Sequence, residues 1–193
     1  LALMQTGGNA RTEAAVEAAL RFLAQAQRAD GAWDPLASGA GRERRPIMGV
    51  ARPGTGSRAE SAITGLALLT LMGAGHTHLQ GDYADNVYRG LAYLIRQQNP
   101  EGSLAGAAMP YAANYSHGMA ALSMCEAAAI TKDRSAVESA RRAVRYTVSQ
   151  QHSSTGGWRY VPGDPGDLSQ LGWQAMVLDA GHRAGVAVDT TAI

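Results

Sequence analysis

The sequence predicts an all-α protein of about three helical hairpins arranged in two concentric layers. Two observations carry this. A stretch of fifteen or sixteen residues recurs three times, and after each copy comes a second recurring stretch of different pattern. The first kind is apolar on one face and the second is apolar nearly all round. Alternation of that sort fits an outer layer that meets water and an inner layer covered on both sides.

The first kind reads "ALRFLAQAQRADGAW" (19–33), "GLAYLIRQQNPEGSL" (90–104) and "AVRYTVSQQHSSTGGW" (143–158). The copies align on Phe22, Tyr93 and Tyr146, then on Gln27, Gln98 and Gln151, then on Gly31, Gly102 and Gly156. They end on Trp33, Leu104 and Trp158, and the third carries one extra residue before its glycine. Val16, Ala19, Leu20 and Leu23, like Val87, Leu91 and Leu94, follow the i, i+4, i+7 spacing of a one-faced helix. The second kind reads "SAITGLALLTLMGAG" (61–75), "NYSHGMAALSMCEAA" (114–128) and "LSQLGWQAMVLDAGH" (168–182), in register at Gly65, Gly118 and Gly172. Leu66, Leu68, Leu69, Leu71 and Met72, and likewise Met119, Leu122, Met124 and Cys125, leave no polar face.

The connection between Trp33 and Gly65 is 18 residues longer than its two equivalents. An insertion loop over about 34–57 is therefore expected. It carries Arg42, Arg44, Arg45 and Arg52, with Arg58 at its edge, among Pro46, Pro53 and several glycines. At the ends, "LALMQTGG" is similar to "LALLTLMGAG", so the chain is expected to start at the end of an inner helix, and "GVAVDTT" is where a fourth outer helix would start. We therefore read residues 1–193 as one repeat domain that is a piece of a larger ring.

A formal charge of +1 from 17 basic and 16 acidic residues gives no field to attract nucleic acid. No apolar run reaches the roughly 18 residues a membrane span needs. One cysteine, Cys125, excludes an internal disulfide and leaves the compartment open.

The pattern Phe22, Leu23, Gln27, Gly31, Trp33 resembles the QW repeat of the squalene-hopene and oxidosqualene cyclases, and the second copy adds that family's basic-small pair at Arg89 and Gly90. Protein prenyltransferase β subunits share the underlying ring of hairpins. The resemblance covers residues from about 12 to 183 and implies an α/α toroid, of which this chain would be an arc or partial barrel. In that setting Gln27, Gly31, Trp33, Gln98, Gly102, Gln151, Gly156 and Trp158 are structural: an amide for unpaired carbonyls, a glycine for φ > 0, and an indole that buries area.

The family's chemistry is less well matched. Squalene-hopene cyclases protonate an alkene with a D-x-D-D motif, which this sequence lacks. The prenyltransferase Asp–Cys zinc pair falls on Asp167 and Ser169, with His117 near the family's His, so the thiolate is missing and no metal or other cofactor is implied. Candidate catalytic groups are then Asp167, Asp164 and His117, and enzymatic activity stays open. Candidate ligand contacts are Trp173, Tyr115, Tyr111, Asn114 and Glu60, with Arg44 and Arg45 for a diphosphate or acidic partner. Glu60, Asn114 and Asp167 also suit helix caps, and "SRAE" at 57–60 has the form of a capping box. Two functions follow as expectations. One is a terpenoid-cyclase-like or prenyltransferase-like protein binding an apolar, isoprenoid-type ligand on its concave face. The other is a non-catalytic scaffold binding protein or carbohydrate. Open apolar faces at the ends of the arc also predict self-association or flanking repeats.

Overall fold

A computed structural model describes residues 8–37, 39, 54, 56–161 and 164–187. Among them are six helices and no strand: α1 (Ala10–Ala26), α2 (Glu60–Gly73), α3 (Ala84–Gln97), α4 (Pro110–Thr131), α5 (Arg134–Ser149) and α6 (Leu168–Arg183). Residues 1–7, most of the insertion with Arg42, Arg44, Arg45 and Arg52, and residues 188–193 lie outside the described residues.

The two layers are present. Helix α4 buries 13 of its 22 residues, from Ala112 to Ala128, and packs against both α2 and α6, so these three form the inner row. Helices α3 and α5 bury one stripe each. On α5 it is Ala136, Ser139, Ala140, Ala143, Val144 and Thr147, the 3.6-residue period in full, with Arg and Glu outside. Helix α3 leans on α2, and α5 leans on α4 and α6. The shared core holds Leu68, Leu71, Leu94, Leu104 and Met124. Cys125 is buried in it, and burial pushes its thiol pKa up to about 12, so it behaves as a small apolar side chain.

Three expectations are corrected. The spacing predicts that α1 buries a stripe through Val16 and Ala19, but only Leu20 is buried, and Phe22 and Val16 are exposed. The "SRAE" box does not form. Ala59 is the N-cap of α2 without a side-chain bond, and Ser57 lies in the preceding turn, so Glu60 falls at the first helical position, too early to reach back. Asn114 is not at a helix start either. Pro110, whose fixed φ and missing N–H suit the first helical position, starts α4 one turn earlier.

Candidate functional site

The clamps fix where everything else sits. Gln27 Nε2 donates to the carbonyl of Gly31 at 2.9 Å and to that of Asn86, on α3, at 2.9 Å. Asn86 Nδ2 donates back to Gln27 Oε1 at 2.8 Å. In the second copy Gln98 Nε2 donates to Gly102 and, at 3.0 Å, to Ser139 on α5, whose hydroxyl donates back to Gln98 Oε1. Each glutamine thus ties its own turn to the next outer helix. In the third, Gln151 Nε2 donates to the Gly156 carbonyl. The indoles of Trp33 and Trp158 donate to carbonyls in the last turns of α1 and α5, Leu23 at 2.8 Å and Thr147 at 2.7 Å. Gly31 and Gly102 have φ of +94° and +101°, and a methyl group on either would collide with the backbone carbonyl of Arg89 or Arg142.

Between the layers runs a buried polar chain that sequence reasoning missed. The Leu104 N–H donates to His117 Nδ1 at 3.1 Å, so the ring proton is on Nε2, which donates to Thr147 Oγ1 at 2.9 Å. Thr147 leads on to Gln174, whose Nε2 donates to the Asn114 carbonyl at 3.0 Å. His117 is 1% exposed, its ring sits edge-on to Tyr146, and burial lowers its pKa to about 3. It is therefore neutral and has both nitrogens engaged. His117 faces the outer layer, contrary to its expected place on the ligand face, and no lone pair is left for a metal. Asn114 is buried too, its amide donating to the Arg159 carbonyl.

The sequence-predicted residues that do come together are at the starts of α4 and α6. Asp167 is the N-cap of α6, and its Oδ1 accepts from the backbone N–H of Ser169 and Gln170 and from the Ser169 hydroxyl. Because that hydroxyl proton is committed to Asp167, Tyr115 donates its own to Ser169 Oγ at 2.5 Å. Tyr160 stands beside Tyr115 with ring centroids 6.3 Å apart, and the Arg159 guanidinium lies over the Tyr160 ring. The Ser169 hydrogen bond leads in holding the Asp167 carboxyl below its ordinary range. Asp167 is thus an ionised acceptor and not a proton donor. The neighbouring Tyr115, followed by Asp167, pushes the Tyr160 phenol up. Trp173, partly buried, lies against Gly118 of α4, and Tyr111 is exposed at the start of α4. Asp164 sits in the turn before Asp167, its N–H bonded to the Val161 carbonyl. Glu60 opens α2, away from this cluster in the chain, and its charge acts on Tyr93.

A family described as squalene-hopene cyclase C-terminal domain matches residues 1–107. The chain belongs to that family. The match covers the first two clamps and α1 to α3, while the cluster around Asp167 lies beyond it. No curated protein and no solved structure matches the chain. As a squalene-hopene cyclase-type repeat protein it has the all-helical arc that its clamps require, and among the described residues no helix is long and apolar enough to cross a membrane.

Proposed function

We propose that this terpenoid-cyclase-like arc binds an isoprenoid-type ligand, its apolar body along the inner helices beside Trp173 and its polar end at Tyr115, Ser169 and Asp167. The observation that carries the reading is the hydrogen-bonded line from the Tyr115 hydroxyl through Ser169 to an ionised Asp167, set beside Tyr160 and Arg159. A few convergent polar groups beside an apolar wall suit an amphiphilic ligand. An ionised carboxylate suits a ligand hydroxyl better than it suits alkene protonation, so binding is the role assigned to Asp167 and no proton-initiated step is assigned to it.

Thermal shift with farnesol, and with squalene as the probe lacking a polar end, tests this. Farnesol is expected to stabilise the protein more than squalene, and Tyr115→Phe and Asp167→Asn are expected to remove the difference. If neither lipid shifts the melting transition, the scaffold reading, a concave face for protein or carbohydrate, takes its place.

A further inference from the structure

Two of the side chains around Tyr115 belong to no helix. Arg159 and Tyr160 lie in the stretch between Trp158 and α6, and both are exposed. Irregular chain of that kind keeps one position only where something outside it grips the main chain. Trp158 is gripped twice: its indole donates to the Thr147 carbonyl on α5, and its own carbonyl accepts from the Asp167 N–H. One residue further on the grip comes from α4. Asn114 Nδ2 donates to the Arg159 carbonyl, and among the described residues this is the one hydrogen bond to the main chain of Arg159 or Tyr160.

Asn114 has firm support behind it. It is 4% exposed, and its backbone carbonyl receives Gln174 Nε2 from α6 at 3.0 Å. Gln174 Oε1 in turn faces the Thr147 hydroxyl on α5, which accepts from His117. Three packed helices therefore meet behind one amide that reaches out to an exposed segment.

The residues it holds complete a recognition surface. The Arg159 guanidinium lies 5.6 Å from the Tyr160 ring centroid and forms no ion pair among the described residues. Asp167 spends Oδ1 on the start of α6 and on the Ser169 hydroxyl, which leaves Oδ2 to accept. Donors from Arg159 and Tyr160 beside a carboxylate acceptor suit a group that both accepts and donates, which is an alcohol hydroxyl. A hydrocarbon offers neither, and a diphosphate would set its charge against Asp167.

We propose that Arg159 and Tyr160 form the wall that recognises the hydroxyl of a prenyl alcohol, and that Asn114 is the positioning residue that sets this wall beside Tyr115 and Asp167. Both roles rest on the ligand reading above and give it a class of polar end.

Titration of the protein with farnesol, farnesyl diphosphate and squalene, followed by tryptophan fluorescence, tests the first role. Farnesol is expected to bind most tightly. Asn114→Ala and Arg159→Leu should each weaken farnesol by about three- to tenfold, leave squalene within about twofold, and together do little more than either alone. The second role is read without ligand. The nuclear Overhauser contact between the Tyr115 and Tyr160 rings, assigned with Tyr160→Phe, should survive in Gln98→Met, which removes a buried amide at the second clamp, and vanish in Asn114→Ala. If Asn114→Ala does not fold, the parent protein decides: the Asn114 side-chain amide protons should exchange slowly with solvent and shift when farnesol binds. Fast exchange, an intact ring contact in Asn114→Ala, equal losses for farnesol and squalene, or preference for the diphosphate would each overturn the proposal. If no lipid binds the parent, the ligand reading itself fails and the recognition role falls with it. If farnesol binds and the ring contact ignores Asn114, the positioning role alone is lost.

Discussion

The first and second clamps keep the same glutamine-to-carbonyl hydrogen bonds and change what fills the space between them. In the first, Trp33 and Leu68 both lie against Gly90, where an added methyl group would come 2.8 Å from Leu68 Cδ2 and 3.1 Å from the indole, and the Trp33 backbone N–H donates to the Thr64 hydroxyl. In the second, Leu104 takes the place of the indole, Ala143 takes the place of Gly90, and the equivalent N–H donates to His117. The larger ring is paired with the smaller helix residue and the smaller side chain with the larger. The difference teaches that the constant part of the clamp is amide to carbonyl, and that indole, threonine and histidine are local solutions to filling and satisfying one site.

The comparison is broken most severely at the glycines. Gly102→Ala forces a methyl group into a backbone carbonyl at positive φ, and the expected loss is about 3 to 4 kcal/mol in urea unfolding. Gly156→Ala, with no carbonyl opposite, is expected to cost about 1 kcal/mol. Equal losses at the two would show that close approach is not what the glycine serves.

The next effect separates the clamps by acid. His117 has its pKa lowered by burial, so between pH 6.5 and about 3 the unfolded chain binds a proton that the folded chain does not. Stability from this site is complete above pH 6.5 and falls as the pH drops, by roughly 2 to 3 kcal/mol at pH 4.5. His117→Thr, which copies the first clamp, should flatten that limb of a plot of stability against pH whatever it does at pH 7. An unchanged slope would place the acid sensitivity elsewhere.

Smaller effects sharpen the volume exchange. Trp33→Leu is expected to cost about 2 kcal/mol, and because an added methyl group at Gly90 also presses on Leu68, the exchange is read from the double variant Trp33→Leu with Gly90→Ala, expected to cost less than the two single losses added together. Additive losses would deny the exchange. Gln98→Met strips the carbonyls of Gly102 and Ser139 of their donor and should cost about 1 kcal/mol.

Much of this architecture is legible in the sequence because it is periodic. The aligned Gln27, Gln98 and Gln151 mark the turns, and the contrast between one-faced and all-round apolar stretches marks the layers. What fails does so where periodicity is silent. Helix α4 is apolar or small on every side, so no pattern says which way His117 points, and only coordinates reveal that it faces Thr147 and Tyr146. The start of α4 is misplaced by reading polar Asn114 as a cap, although Pro110 carries the better signal. Within the candidate site, Asp167 is readable as a cap, but its link through Ser169 to Tyr115 spans 54 residues and no local spacing encodes it.

The glutamines grip main chain on the following helix, at Asn86 and Ser139, and the demands they make on its side chains are few. A hairpin copied from elsewhere in such a wall would be accepted if its backbone arrived in step, so duplication and exchange of units can lengthen or shorten the arc without redesigning each joint. Inheritance by whole units, with local refilling of the space behind each clamp, is the evolutionary habit that such a fastening permits.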